Sequence, residues 1–163
     1  MMNGDIKVRS APGKGSRFTV TIILNTQDTG SEFVEELAHL PVLVADDDQS
    51  CCEGTVVLLR EIGMDGEWVL SSEEAVERTV SRHESGEDFF AVIIDWKMPV
   101  MNGYEAAMAI RALPGGGDIP VIAMTANAFA EDVLLARNAG MNEHIAKSLD
   151  LTKLGEVMQK WLR

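Results

Sequence analysis

The sequence predicts an α/β fold: a doubly wound, five-stranded parallel sheet with helices on both faces, preceded by an N-terminal β-hairpin. From Pro41 onward, five short runs rich in Val and Ile alternate with amphipathic stretches. The runs lack strict polar alternation, which indicates strands that are buried on both faces. Five β/α repeats joined by short connections favour a parallel sheet with right-handed crossovers.

The first 25 residues are predicted to form the hairpin. "DIKVRS" and "RFTVTIIL" alternate in polarity, and the turn residues of "APGKG" separate them. This section carries four basic residues and one acidic residue, a balance of +3; since the whole chain has a net charge of -12, the remainder carries -15. An isolated hairpin is marginally stable. It therefore either packs on the rest of the chain or forms the edge of another domain.

Residues 26–40 are polar and acidic, with at most one helical turn, and are predicted to be a linker. The main domain is then expected over residues 41–163. Its predicted strands are "PVLVAD", "GEWVL", "FFAVIID", "IPVIAMT" and "EHIAK". Helices are predicted near residues 49–62, 72–84, 103–112, 129–139 and 150–162 from apolar residues recurring at helical spacing, with glycines at the joins.

Composition excludes several classes of function. A net charge of -12 argues against a nucleic-acid-binding protein, which usually carries a clustered basic surface. No apolar stretch approaches the roughly 20 residues that span a bilayer. Cys51 and Cys52 are sequence neighbours, which suits neither a disulfide framework nor a zinc site of the usual spacing, so both are interpreted as small apolar residues. We expect a cytoplasmic fragment without membrane contact, although its parent protein could be anchored.

Acidic and phosphate-binding residues end the predicted strands. Ligands of such sheets gather at the carboxyl ends of the strands. The first strand ends in Asp46 and Asp47, the third in Asp95, the fourth in Thr125 and the fifth in Lys147. If the first and third strands are neighbours, their carboxylates converge.

Converging carboxylates require a cation. Two such charges about 4 Å apart repel by about 4 kcal/mol at an effective dielectric of about 20. An oxygen-only set on an open rim suits Mg²⁺, while a hydroxyl and a lysine suit an incoming phosphoryl group. We therefore expect Asp95 to accept a phosphoryl group while Asp46 and Asp47 share the metal. Asp48 is predicted to be the N-cap of the next helix.

These motifs resemble the receiver domains of two-component response regulators. The resemblance covers residues 41 to about 162 and rests on "VLVADD", "IIDWKMPVMNG", "VIAMTANA" and "HIAK". It implies a flavodoxin-like fold with strand order 2-1-3-4-5 and a phosphorelay function. By position, Asp95 would be the phospho-acceptor, Thr125 and Lys147 would contact the phosphoryl oxygens, and Asp46 and Asp47 would hold Mg²⁺.

The resemblance assigns further roles by position. The backbone carbonyl of Lys97 would complete the metal site. Thr125 and His144 would form a conformational switch that biases the surface of the fourth helix and fifth strand of the receiver. Lys97, Ala126 and Asn127 flank the pocket and would tune the lifetime of the acyl phosphate. For His144, Ala126, Lys97 and Asn127 the alternative is an ordinary structural or solvated side chain.

Two longer stretches narrow the resemblance. "MTANAFAEDVLLARNAGMNEHIAK" is similar to receivers attached to hybrid sensor histidine kinases, and "GDIKVRSAPGKGSRFTVTIIL" is similar to the last hairpin of a histidine-kinase ATP-binding domain. That domain's nucleotide-binding motifs are missing from this sequence, so we expect no ATP-dependent kinase activity. The implied partners are a phosphohistidine donor and a histidine phosphotransfer protein.

One position departs from the family pattern: Lys147 is followed by Ser148, where the family usually has proline in a cis linkage. A cis bond before a non-proline residue costs about 2.5 to 4 kcal/mol. The isomer of this bond is left open: a trans peptide would shift Lys147, and phosphorylation of Asp95 is expected in either case.

Two other functions are considered. An aspartate-based phosphohydrolase would need a second aspartate two positions after the nucleophile, where this sequence has Lys97. A receiver fold used only for binding would not need Asp46, Asp47, Asp95, Thr125 and Lys147 together. Both alternatives are therefore less favoured than the phosphorelay receiver.

Overall fold

The structure is a computed structural model that describes residues 4–11, 15–22, 34–126 and 130–162. The strands are β1 (Gly4–Ala11), β2 (Gly15–Ile22), β3 (Pro41–Ala45), β4 (Asp65–Val69), β5 (Ala91–Asp95), β6 (Val121–Thr125) and β7 (Glu143–Ala146). The α-helices are α1 (Val34–Leu37), α2 (Gln49–Glu61), α3 (Ser72–Ser85), α4 (Gly103–Arg111), α5 (Ala130–Asn138) and α6 (Leu151–Lys160). A single 3₁₀ turn is described at Gly116–Asp118.

The main sheet has five parallel strands in the order β4-β3-β5-β6-β7. When the strands are counted from β3 as strand 1, this is the predicted order 2-1-3-4-5. Each predicted strand and each predicted helix after Pro41 is present within a few residues of its expected bounds. The predicted fold class is confirmed.

Two hydrophobic cores lie on the two faces of the sheet. Successive residues of β3 face opposite cores. Leu43 packs with side chains of α3, α4 and α5, whereas Val44 packs with side chains of α2 and α6. The central strands β5 and β6 are buried at every position. Burial on both faces explains why these strands are continuous apolar runs in the sequence.

The segment predicted as a linker contributes to the second core. Residues Val34–Leu37 form one helical turn, and Leu37 is fully buried among the residues that α2, α6 and the sheet bring together. The connection to β3 passes through His39, whose φ of 62° and hydrogen bond to the Gly63 carbonyl turn the chain toward the sheet. The packed unit thus begins before Pro41, although the domain boundaries remain a prediction.

The N-terminal section is an antiparallel hairpin in which Gly4–Ala11 pairs with Gly15–Ile22. The predicted pairing of these two runs is therefore present, while its origin in an ATP-binding domain remains a prediction. In the part of the chain that the structure describes, no helix combines the length and apolarity needed to cross a membrane.

Candidate functional site

The register of the sheet brings the carboxyl ends of four strands to one edge. Ala45 pairs with Ile94, so Asp46 follows the strand beside Asp95. Asp95 in turn pairs with Met124, and Thr125 pairs with Ala146, the residue before Lys147. The residues predicted from the strand ends therefore lie next to one another because parallel strands end at the same edge.

Three carboxylates form the centre of the site. Asp46 is fully buried and Asp95 is 4% exposed, whereas Asp47 is exposed. One oxygen from each lies within 4.8 Å of the others. The Asp48 backbone N–H donates to Asp46 Oδ1 at 2.9 Å, and Asp48 also caps α2 by accepting from the Ser50 N–H at 2.9 Å. The start of α2 therefore fixes the first carboxylate, and the predicted N-cap role of Asp48 is confirmed.

Lys147 bridges two of these carboxylates. Its ammonium lies 2.9 Å from Asp46 Oδ2 and donates a hydrogen bond to Asp95 Oδ2 at 3.0 Å. The buried Oδ2 of Asp46 therefore has the Lys147 ammonium as its charged partner. The Lys147–Ser148 peptide, whose isomer the sequence left open, is trans, and Lys147 lies against Asp95 with this isomer.

Burial and charge set the ionisation of this cluster. Burial raises the pKa of Asp95 above its ordinary value, and the nearby charge of Asp46 adds to that rise, against the opposing effects of Lys147 and a hydrogen bond from the Lys97 backbone. Burial lowers the pKa of Lys147, but hydrogen bonding and charge from Asp46 and Asp95 outweigh it and raise the pKa overall. Lys147 is thus the cation that makes two buried carboxylates compatible with folding.

The loop after Asp95 is held by its own side chains. Trp96 and Met98 are buried, and the Trp96 ring lies edge-on to Tyr104 at 4.1 Å between ring centroids. Between them and α4, Val100 has a φ of 68° and is spanned by a hydrogen bond from the Met101 N–H to the Pro99 carbonyl. This is a γ-turn centred on a β-branched residue, a strained conformation. The Val100 side chain is 96% exposed.

The three carboxylates of Asp46, Asp47 and Asp95 have the chemistry of a magnesium site. They provide only carboxylate oxygens, which Mg²⁺ prefers, and Asp47 stands on the solvent side where water ligands are available. Asp46 Oδ2 is a buried anionic oxygen that already contacts a cation, the Lys147 ammonium at 2.9 Å, so the environment of this atom suits a positive charge. Asp46, Asp47 and Asp95 could therefore hold the ion, as predicted from the strand ends.

The remaining predicted residues are placed as follows. Thr125 is buried at the end of β6, and Ala126 and Lys97 are exposed beside the strand ends. Asn127 lies outside the described residues. His144 is half-buried on β7, opposite Ala123, where it lines a small cavity of about 90 Å³ against α5. Their predicted roles in tuning and switching remain predictions.

Cys51 is a site neighbour that the sequence interpretation overlooked. Burial and the neighbouring Asp46 carboxylate raise the pKa of Cys51 to about 12. Burial also raises the pKa of Cys52, to about 11. The overlooked signal is position: Cys51 is the third residue of a helix that starts directly after the carboxylates.

This sheet order and this set of strand ends define a class of signalling domain, and comparison with known sequences gives its family. The profile described as the response regulator receiver domain matches residues 42–159. The chain belongs to that family.

Two sequence relatives illustrate the family's range. The chain is 29% identical to the hybrid signal transduction histidine kinase L of Dictyostelium discoideum over 168 aligned positions, which cover 98% of this chain and 10% of that kinase. It is 32% identical over 120 positions to a chemotaxis protein CheY homolog of Campylobacter jejuni, covering 74% of this chain and 90% of that protein. The chain thus spans a tenth of the kinase and most of the CheY homolog.

Solved structures support the same family. The receiver domain of sensor histidine kinase PA1611 from Pseudomonas aeruginosa has a TM-score of 0.68 and 30% identity, covering 77% of this chain and 98% of that domain. That structure has a magnesium ion coordinated in its active site cleft. Chemotaxis protein CheY4 of Vibrio cholerae has a TM-score of 0.69 at 24% identity, covering 77% of this chain and all of that one, and shares the fold.

Proposed function

We propose that Asp95 accepts a phosphoryl group from a phosphohistidine in a magnesium-dependent reaction and passes it to a histidine phosphotransfer protein. The observation that carries the proposal is the joint position of Asp95, Asp46, Asp47 and Lys147 at one edge of the sheet. An ionised carboxylate nucleophile, a ligand set for a hard cation and a fixed ammonium are the parts that phosphoryl transfer requires.

The transfer is a substitution at phosphorus. A carboxylate oxygen of Asp95 forms a bond to the phosphorus while the phosphorus–nitrogen bond of the donor breaks, and the imidazole leaves with its electron pair. The product is an acyl phosphate on Asp95. Onward transfer to a second histidine is the same substitution with the aspartate carboxylate as leaving group.

The site residues would act mainly by position and charge. Asp46, Asp47, Asp95 and the Lys97 carbonyl would hold Mg²⁺, which supplies charge neutralisation for the phosphoryl oxygens. Lys147 already lies on Asp95 Oδ2 and would follow the transferred group as its counter-ion. Thr125, at the end of the adjacent strand, would donate its hydroxyl to another phosphoryl oxygen.

A signal could leave the site through β7. Thr125 pairs with Ala146, and His144 lies two residues earlier on the same strand, half-buried against α5. We expect a movement of Thr125 toward the phosphoryl group to change how His144 packs, and so to alter the surface formed by α5 and β7.

We further propose that this chain is the receiver end of a hybrid histidine kinase. The alignment with the Dictyostelium kinase covers 98% of the chain, beyond the receiver itself, and the hairpin of β1 and β2 precedes the receiver as the end of an ATP-binding domain would. In that arrangement the phosphoryl group arrives from the kinase's own histidine, and the domain acts in the cytoplasm.

Intact-mass measurement after incubation with Mg²⁺ and phosphoramidate tests the function. We expect a mass increase of one phosphoryl group that is lost in Asp95→Asn and after chelation of the metal. Asp65→Asn, an exposed aspartate at the far end of β4, is the matched control and should be phosphorylated as the wild type is. An adduct that persists in Asp95→Asn, or forms equally well without metal, would contradict the proposal, and rapid turnover of phosphoesters would favour a hydrolase.

A further inference from the structure

A cavity of about 420 Å³, the amino-edge cavity, lies at the edge of the sheet opposite the carboxylates. Its walls come from the segments just before β3, β5 and β6 and from the end of α6, so it adjoins the amino ends of three strands. Its size is in the range of small-molecule sites. We propose that this cavity binds a small organic ammonium ion with an apolar body. The inference is independent of the phosphorelay proposal, which concerns the other edge of the sheet.

The walls of the amino-edge cavity are largely apolar. Four of its residues are half-buried, so each leaves part of its surface open to an occupant: Leu40, Phe90, Trp161 and Leu162. The faces of aromatic rings attract an ammonium ion, and the apolar part of the same molecule gains from burial against leucine side chains. The walls therefore suit a cation that carries an alkyl or aryl group.

The charges around the amino-edge cavity select the sign of its ligand. Two carboxylates line it, Glu36 on α1 and Asp118 in the 3₁₀ turn, and both residues are exposed. Among the described residues, no lysine or arginine lines it. The cavity also adjoins the C-terminal end of α6, which carries the negative pole of the helix dipole. An ammonium ion is therefore favoured there, and a carboxylate or phosphate is disfavoured.

Backbone hydrogen bonds hold the walls of the cavity in place. The Phe90 N–H donates to the Pro41 carbonyl at 2.8 Å, and the Pro120 carbonyl accepts from the backbone of β5 at 2.8 Å. At the end of α6, the Trp161 N–H donates to the Met158 carbonyl at 3.1 Å. These walls are thus fixed by the sheet and the helix themselves. A ligand that enters a preformed site avoids the cost of ordering its walls.

Another groove, of about 530 Å³ beside β4 and α3, shows what distinguishes the amino-edge cavity. It also combines an aromatic residue, Trp68, with two glutamates, Glu74 and Glu77. Arg78 lines this groove as well and lies 3.5 Å from Glu67. A cation in the groove would meet that positive charge, whereas none lines the amino-edge cavity among the described residues. The amino-edge cavity is therefore the better site for an ammonium ion.

Titration with 2-phenylethylammonium, followed by the indole N–H signals of the three tryptophans in ¹⁵N NMR, tests the inference. Trp161 lines the cavity, and its signal is identified by its loss in Trp161→Phe. We expect this signal to shift and that of Trp96, beside Asp95 at the other edge, to stay. 2-Phenylethanol, which replaces the ammonium by a hydroxyl, should bind about tenfold more weakly, since it lacks both the cation–π contact and the attraction of two exposed carboxylates. Phenylacetate, an anion, should bind more weakly still.

Charge-removing variants separate ligand selection from folding. Glu36→Gln combined with Asp118→Asn should bring the affinity for the ammonium to within about threefold of that for the alcohol, because only the cation–π contact then distinguishes the two. The affinity for the alcohol itself should not change. Glu156→Gln, which alters an exposed glutamate of α6 outside the cavity, is the matched control and should leave both affinities unchanged. Circular dichroism verifies that each variant is folded.

Equal affinities of the wild type for the ammonium and the alcohol would overturn the inference, and so would a Trp161 signal that neither compound moves. A Trp161 signal that moves with protein concentration instead would assign the cavity to a second copy of the chain and overturn the inference as well. Asp95→Asn should bind the ammonium as the wild type does. Failure of the phosphorelay proposal and failure of this one are therefore seen in separate measurements.

Discussion

Replacing Lys147 by methionine removes the only cation that contacts the buried carboxylates among the described residues. The side chain stays unbranched and keeps most of its length, but it loses its charge. The Lys147 ammonium lies 2.9 Å from Asp46 and 3.0 Å from Asp95. At these distances the Coulomb attraction of each pair is about 5 to 6 kcal/mol at an effective dielectric of about 20, before the cost of desolvation is subtracted. Removing one partner of a buried ion pair costs about 3 to 5 kcal/mol net.

Because Lys147 is 28% exposed, the lower end of that range applies. We expect Lys147→Met to lower the free energy of unfolding by about 3 kcal/mol in metal-free buffer. For a chain of this size the corresponding fall in Tm is about 6 to 12 °C. Saturating Mg²⁺ should recover part of the loss, since a cation that binds only the folded state stabilises it by mass action.

Urea unfolding followed by tryptophan fluorescence, with and without Mg²⁺, measures both quantities. Lys153→Met is the matched control: Lys153 is an exposed lysine on α6, and its replacement should change stability by no more than about 0.5 kcal/mol. A Lys147→Met variant as stable as the wild type in metal-free buffer would refute the role of Lys147 as the counter-ion of the site. Equal losses with and without Mg²⁺ would refute the exchange of one cation for the other.

Three further predictions concern other parts of the molecule. Gly103→Ala should destabilise the fold by more than about 1 kcal/mol, because the added Cβ would lie 2.6 Å from the Asp95 carbonyl oxygen. Gly54 lies on α2 with open space around it, so Gly54→Ala should stabilise the fold by about 0.5 to 1 kcal/mol. Urea unfolding measures both changes. Leu37→Ala should cost about 2 to 5 kcal/mol in the same assay, and a cost near zero would place residues 34–37 outside the packed unit. A hydrogen bond to Asp88 raises the pKa of His83, so the stability that His83 adds should be full below about pH 6.5 and lost as pH rises through the raised value. The difference in Tm between the wild type and His83→Gln across pH 5 to 9 measures this effect, and a difference independent of pH would contradict it.

The sheet and its site were predictable because short apolar runs indicate buried strands, and the order of residues along those strands places their last residues at one edge. Runs such as "AVII", residues 91–94, are too short for helices and apolar at every position, so they indicate strands buried on both faces. Once the strands are parallel, the residues that end them must share an edge. Asp46, Asp95 and Thr125 were found in this way without knowledge of any distance.

The features that escaped prediction depend on single contacts. Leu37 lies in an acidic segment with only one helical turn, too short to show an amphipathic period, so its burial could not be foreseen. Cys51 belongs to no sequence motif, and its raised pKa depends on its burial and on the nearby Asp46 carboxylate, neither of which the sequence shows. The effect of Ser148 on the position of Lys147 was left open by the sequence, because that position depends on the pairing of β7 with the end of β6, where the Lys147 N–H donates to the Thr125 carbonyl.

The double contact of Lys147 implies an order of events at the site. One ammonium contacts Oδ2 of both Asp46 and Asp95, so part of the negative charge of the pocket is balanced from within. A divalent ion held by these oxygens would compete with the ammonium for them, and an ammonium released in this way would be free to meet an incoming phosphoryl oxygen. Arrival of the metal would thus prepare the lysine for the second anion, so that two separate binding events are linked through one pair of oxygen atoms.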